Sequence, residues 1–463
     1  MAHDPCACFK RGLRFKSDSR SPLPTQEPSS FSGTQSLGAG RVEECAGYGI
    51  EAYSESASRR KPGAEVLHKF GYMACGRGNM TIRTILPPRG RDYRLDLLRG
   101  FANWAIYLDH IPNNVVNWLT QRDYGFSDAA DLFVFISGYT ASFVYARIML
   151  ERGFVIGGTR LIKRAWQIYV AHIILFVMYI AEIGYLARRY GNSNLENEFN
   201  VAGFMSNPAE TLYQGLILAF KPVNMDVLPL YIVLMVAFPP VLWTMLRLPN
   251  LTLTASFLLY LAARHFDWNL DAFPTGSWYF NPFCWQFLFI FGGWFALGGS
   301  IESRPLIRSR TLLWLGSAYL LFAFVMTMAG RFAEIAHMMP AWLYNAFNPN
   351  DKTNLAPYRL VHFIVLAFFI SRFLPRDWRG LEWPIFRPLI KCGQQSLEVF
   401  CVGVFLAVGA HVLLVEISSA ISMQIAVSVA GITLMTAVAY YRSWSKKADK
   451  DNSPAFTASK ANS

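Results

Sequence analysis

Residues 227–246, VLPLYIVLMVAFPPVLWTML, form a run of twenty residues without one charged side chain. Coiled as a helix, such a run rises about 30 Å, the thickness of a bilayer's hydrocarbon core. Similar apolar stretches occupy Ile168–Ala187, Phe283–Gly299 and Leu312–Ala329. None alternates in the way a lipid-facing strand must, so a barrel is excluded and the fold class is all-α. The whole chain agrees: 53% of its 463 residues are hydrophobic and 16% charged, where a soluble domain carries about a quarter charged residues.

Ten membrane helices are expected, near 97–118, 130–150, 164–187, 227–246, 251–266, 283–300, 312–330, 357–374, 393–414 and 419–441. Loop charge tests this independently of hydropathy. Arg89, Arg91 and Arg94 precede the first helix. The second loop carries Arg152, Arg160, Lys163 and Arg164, the sixth Arg304, Arg308 and Arg310, and the eighth Arg376, Arg379, Arg387 and Lys391. The tail adds Lys446, Lys447 and Lys450, while the intervening loops are neutral or acidic. Such alternation predicts an even number of spans, with both termini cytoplasmic, in a multi-pass protein of a bacterial inner membrane. It also accounts for the net charge of +12 without nucleic acid. The stretch 190–226 contains ETLYQGLILAF, too short to span, and is expected outside the bilayer.

Residues 1–90 are rich in Ser, Gly and Pro, for example SRSPLPTQEPSSFSGTQSLGAG at 19–40. They are expected to be a disordered extension ahead of a membrane domain at 91–442, followed by a disordered cytoplasmic tail at 443–463. An internal start at Met80 would leave only a short basic lead before the first helix, and residues 1–79 would then not be translated. The seven cysteines form no CxxC pair and no zinc spacing, so neither a disulfide framework nor a metal site is expected.

Chemistry is densest in RLDLLRGFANWAIYLDHIP, residues 94–112. His110 lies eleven residues beyond Arg99, about 16 Å deeper along a helix and close to the bilayer centre. An ionisable group there faces the bundle interior or water, and an imidazole can take and return a proton or carry an acyl group. The plainer alternative is a bond to a neighbouring helix. Asp109 is about 100° away from His110 on the helix and is not automatically its orienting carboxylate. In DLFVFISGYTAS, Asp131 is a further candidate for chemistry, with helix capping as its plainer role. Arg160, Lys163 and Arg164 in TRLIKRAWQIY suit either an orientation signal or the phosphates of a cytoplasmic coenzyme A thioester. Trp285 and Gln286 lie at the outer mouth of the sixth helix, where an aromatic belt or a stacked sugar ring would account for the aromatics. Lys352 and Arg359 are positive charges on the side the topology rule leaves neutral, so a partner or an anionic ligand explains Arg359 better. Glu398 is an intramembrane carboxylate that pairs with an arginine or stays neutral.

From about Arg91 to Tyr441 these elements resemble the OpgC family, membrane proteins related to the acyltransferase 3 superfamily that succinylate osmoregulated periplasmic glucans. The resemblance rests on Arg99 followed after ten residues by His110, and on DLFVFISGY, similar to the superfamily's DLFFVLSGF. RLIKR, LPLY, WYFNPFCWQFLF, DKTNL and GQQSLEVF add to it. It implies a membrane O-acyltransferase moving a succinyl group from succinyl-CoA to periplasmic glucan hydroxyls. No tightly bound cofactor is expected, and the acyl-CoA is a co-substrate. By the same resemblance His110 would be the base or acyl relay, with Arg99 and the Arg160–Arg164 cluster serving the acyl-CoA. Asp109, Asp131 and Glu398 remain carboxylate partners to weigh, and Trp285, Gln286, Lys352, Arg359 and Glu398 are candidates for the acceptor. The competing readings are an acyltransferase for another polysaccharide or lipid-linked sugar and a secondary transporter. A homo-oligomer and a glucan-synthesis partner are both left open.

Overall fold

The computed structural model describes residues 90–451. The expected disorder of the N-terminal extension, the alternative start at Met80 and the end of the tail lie outside the described residues. All ten stretches expected to be helical contain a helix. They are α1 (Tyr93–Asp109), α2 (Ala129–Arg152), α3 (Phe154–Tyr190), α4 (Val227–Arg247), α5 (Pro249–His265), α6 (Pro282–Trp294), α7 (Arg310–Ala329), α8 (Pro357–Phe373), α9 (Ser396–Glu416) and α10 (Ile421–Asp451). Among the described residues no strand forms beyond one isolated bridge between Asp271 and Ser277. Among the described residues seven helical segments are long and apolar enough to cross a membrane, which makes this a multi-pass membrane protein. Helices α1, α5 and α8 fall short of that length, with 17 residues each and about 25 Å of rise.

Three boundaries differ from expectation, each for a local reason. The first helix does not run to residue 118 but stops at Asp109. Pro112 cannot continue a helix without meeting the carbonyl four residues back, and Asn113 turns the chain with φ +54°. The chain then forms the short 3₁₀ turns Val115–Leu119 and Gln121–Tyr124. His110 is therefore the C-cap of α1, at one end of the helix rather than midway along a longer one. The sixth helix breaks into a π turn at Phe295–Gly299, where Gly298 takes φ +123°. At the other terminus α10 continues through Asp451, so residues 443–451, expected to be disordered, are helical.

The segment before α4 holds the short helix Pro208–Leu216 against α3, where the Tyr169 hydroxyl donates to the Leu216 carbonyl at 3.0 Å. It folds back beside the bundle and delivers Lys221 and Asp226 to the start of α4.

Helix α2 sits at the centre and crosses α6 at a point only glycine allows. A Cβ on Gly138 would lie 1.8 Å from the Phe289 carbonyl oxygen, and one on Gly292 would lie 2.1 Å from that of Phe135. The two backbones are in contact, as small residues permit in membrane bundles. Ser137-Gly138 thus marks a helix crossing, and α2 runs through it unbroken. Helix α1 leans on α10 through the buried Tyr107, whose hydroxyl donates to the Val427 carbonyl at 2.8 Å.

Candidate active site

Helix α2 begins with a capping box. The Asp128 side chain accepts from the Ala130 N–H at 2.8 Å, and the Asp131 side chain accepts from the Asp128 N–H at 2.9 Å. This meets the usual need of a helix N-terminus for acceptors. Here the two carboxylates also hold cations. Asp128 pairs with Lys352 at 2.6 Å and with Arg359 at 2.9 Å, and Asp131 receives both Nε and Nη2 of Arg359. A third donor of the guanidinium, Nη1, reaches the Phe126 carbonyl at 2.8 Å. Arg359 and Asp131 are buried, so neither charge could be kept there without the other.

This cluster forms one wall of a cavity of about 970 Å³ into which His110 opens. The cavity is closed by the ends of α1, α2, α4 and α8 and by loops around Phe273, Arg331 and Asn350. The Nδ1 of His110 is buried and has no hydrogen-bond partner among the described residues. Its backbone N–H caps α1 by reaching the Ile106 carbonyl at 3.1 Å. Asp109 is not bonded to the imidazole: its Oδ1 accepts from the Thr120 hydroxyl at 2.7 Å. Nor does Asp131, committed to Arg359, or Glu398, which pairs with Arg442 and Lys446 at 3.4 and 3.2 Å, orient it.

Of the residues singled out in the sequence, the cavity brings together His110, Asp109, Lys352 and Arg359, with Asp131 directly behind Arg359. Trp285 stands outside the cavity lining. It is buried, and its indole N–H donates to the Lys352 and Thr353 carbonyls at 3.1 and 3.2 Å, fixing the loop that presents Lys352. Gln286 joins α6 to α5 through Ser256, with bonds of 2.6 and 2.8 Å. Glu398 lies apart, in the first turn of α9.

A second cavity, of about 870 Å³, occupies the other end of the same helices, with Arg94, Arg304, Arg308 and Arg372 on its walls. The two approach each other along α2 and α8. On α2 the first ends at Ala130 and the second begins at Leu132; on α8 the corresponding residues are Arg359 and Phe363. Arg359 and Phe363 are one turn apart, about 6 Å of rise. The layer between is Leu132, Phe135 and Phe363, all buried, with the two phenyl rings 5.2 Å apart. Arg99 lies beside this second cavity without lining it, donating to the Thr140 hydroxyl at 2.8 Å and the Ile136 carbonyl at 3.4 Å. Arg160 and Lys163 are exposed on α3, Arg164 bonds Gln167 at 3.2 Å, and none of the three lines either cavity.

A family model described as OpgC protein matches residues 91–447. The chain belongs to the OpgC family. No curated protein and no solved structure matches it. Membership makes this an OpgC-type acyltransferase, and the match covers both cavities and the layer between them.

Sequence reasoning missed Asp128, Lys221 and Asp226, all on the cavity wall. Asp128 had a readable signal, since Asp-x-x-Asp at the head of an apolar run is a capping box in acidic form. Lys221 and Asp226 flank the start of α4 but are brought to His110 only by the fold. Burial pulls the Lys221 ammonium down to about 8 and pushes the Asp226 carboxyl up to about 6.

Proposed function

We propose that the chain transfers an acyl group, the succinyl group of succinyl-CoA, to a hydroxyl of a periplasmic glucan. The observation that carries this reading is the pair of cavities meeting end to end on α2 and α8, one opening onto His110 and the other lined by arginines. Sidedness follows from the loop-charge argument: Arg94, Arg304 and Arg308 belong to the basic loops assigned to the cytoplasm. A nucleotide donor on that side would meet guanidinium groups suited to its phosphates. A sugar on the other side would meet Asn224, Ser277, Asn350 and the exposed ring of Tyr279, polar groups and an aromatic face of the kind that hold carbohydrate.

His110 accepts the proton of the glucan hydroxyl as its oxygen attacks the thioester carbonyl. A C–O bond forms, the C–S bond breaks, and the coenzyme A thiolate leaves to take up a proton. The products are a half-ester and the free thiol. The half-buried Lys352 on the cavity wall supplies positive charge towards the oxyanion, which is where electrostatic stabilisation contributes most. If the imidazole instead carries the acyl group, an acyl-enzyme accumulates with donor alone.

Purified protein in detergent, given labelled succinyl-CoA and neutral glucan, should produce anionic glucan. His110→Ala at equal abundance should lower the rate about 10²- to 10⁴-fold, the usual range for losing a general base. Full activity of that variant would overturn the role of His110. Transfer to a different polysaccharide or lipid-linked sugar, with glucan inert, would overturn the acceptor while leaving acyl transfer standing.

A further inference from the structure

The cations of the His110 cavity are not held alike. Arg331 pairs with Asp123, Lys352 with Asp128, and Arg359 with Asp128 and Asp131, while Arg122 is exposed and donates to the Asp109 carbonyl at 3.3 Å. Lys221 makes no ion pair among the described residues, although only 8% of it is exposed. Its Nζ donates to the Leu218 carbonyl at 3.1 Å and the Ala219 carbonyl at 3.4 Å, and sits 3.9 Å from the centre of the Trp278 ring. Two carbonyls and an aromatic face satisfy an ammonium without cancelling its charge. Lys221 nonetheless lines the same cavity as His110. The Asp226 carboxylate acts on this ammonium without contacting it, and a buried charge with no carboxylate in contact favours a ligand that brings one.

Resting on the acyl-transfer reading, we infer that Lys221, seated on Trp278, binds the free carboxylate of the transferred acyl chain. The cavity thereby selects half-thioesters of dicarboxylic acids over uncharged acyl groups. The third ammonium proton donates to the carboxylate while the thioester end reaches the imidazole. Succinyl and butyryl chains have the same number of carbons and differ in the carboxylate, so they isolate the contact. The titratable groups facing Lys221 are Asp226, from its own loop, and the neutral imidazole of His172, from α3. Lys352 acts on Asp226 from the opposite wall. The Asp226 carboxyl, displaced to about 6, is ionised throughout the window in which Lys221 loses its proton. Lys221 is therefore the group that titrates as pH rises through about 8.

The test compares succinyl-CoA with butyryl-CoA as donors for the wild type, Lys221→Met and Lys221→Arg. The wild type should prefer succinyl. Lys221→Met should lose about 10- to 100-fold in kcat/KM for succinyl, the range for a hydrogen bond to a charged group, with butyryl transfer unchanged, and Lys221→Arg should recover part of the preference. The wild-type preference should also decline above about pH 8, where the ammonium is lost. A second readout needs no turnover: monomethyl succinate should raise the melting temperature of the wild type and leave that of Lys221→Met unmoved. Equal slowing of both donors in Lys221→Met, or a succinyl preference that survives it, would overturn the inference. If the wild type transfers neither acyl group yet monomethyl succinate still binds through Lys221, the acyl-transfer reading fails and an anion site remains.

Discussion

The two cavities share walls on α1, α2 and α8 but hold their charge in opposite ways. At the His110 end, carboxylates and cations are locked together. Arg359 is buried with four donor contacts to Asp128, Asp131 and the Phe126 carbonyl, and Lys352 closes onto Asp128. At the other end Arg94 pairs with Asp92 and Arg372 donates to the Ile307 carbonyl, but Arg304 and Arg308 are exposed and make no ion pair among the described residues. Locked charge is what a reacting centre needs, because preorganised dipoles and ions do not have to reorganise during the reaction. Free, exposed charge is what a site for a soluble polyanion needs, because its counter-charge arrives with the ligand. The difference predicts that mutations at one end act mainly on stability and chemistry, and at the other mainly on donor affinity.

The largest effect should come from the locked end. Arg359→Met leaves the buried Asp131 without a cation and Asp128 with Lys352 alone at the head of α2. Breaking a buried ion pair by removing one partner destabilises by about 3–5 kcal/mol. The variant should melt well below the wild type in detergent, and adding Asp128→Asn and Asp131→Asn should restore much of the loss. An Arg359→Met protein with wild-type melting would remove the distinction between the two ends.

Much of this contrast was legible in the sequence, through charges found where they should not be. The topology rule leaves the outer side neutral, so Lys352 and Arg359 stood out as cations needing an anion, and the fold supplies Asp128 and Asp131. Lys221 was a base in that same outer set and could have been flagged by the same argument. What composition could not give was proximity. Asp128 and Lys352 are more than two hundred positions apart in the chain, and no helical period relates them. The helices themselves were readable because apolar runs are local. The end of α1 was misplaced because the apolar pattern past Pro112 continues into 3₁₀ turns, and hydropathy does not register a missing N–H. The glycine crossing of α2 and α6 was not legible, since only the partner's backbone shows why a Cβ on Gly138 or Gly292 has no room.

A smaller effect is expected at the free end. Arg304→Gln with Arg308→Gln should leave the melting temperature near that of the wild type and raise the KM for succinyl-CoA about tenfold. Charge-assisted hydrogen bonds contribute about 1.5–3 kcal/mol each, less at exposed positions. The triple variant Arg160→Gln, Lys163→Gln, Arg164→Gln is the control, since the family resemblance places the donor there. An increased KM in the triple variant with none in the Arg304 and Arg308 pair would move the donor site to α3 and end the symmetry of two cavities meeting at one layer.

The smallest effect should be at Glu398, a candidate in the sequence that lines neither cavity. Its carboxylate is 30% exposed and bridges α9 to Arg442 and Lys446 on α10, themselves 40% and 52% exposed. Partly hydrated pairs of this kind contribute about 0–1 kcal/mol, reduced further by salt. Glu398→Gln should therefore lower stability by less than about 1 kcal/mol and change the transfer rate by less than about twofold. The isosteric neutralisation Asp128→Asn strips Lys352 and Arg359 of a shared carboxylate and should do far more. The comparison of the two variants by thermal melting and by succinyl transfer is thus a direct measure of position. A Glu398→Gln protein as impaired as Asp128→Asn would mean that charge outside both cavities controls the reaction, and the locked end would lose its claim to the chemistry.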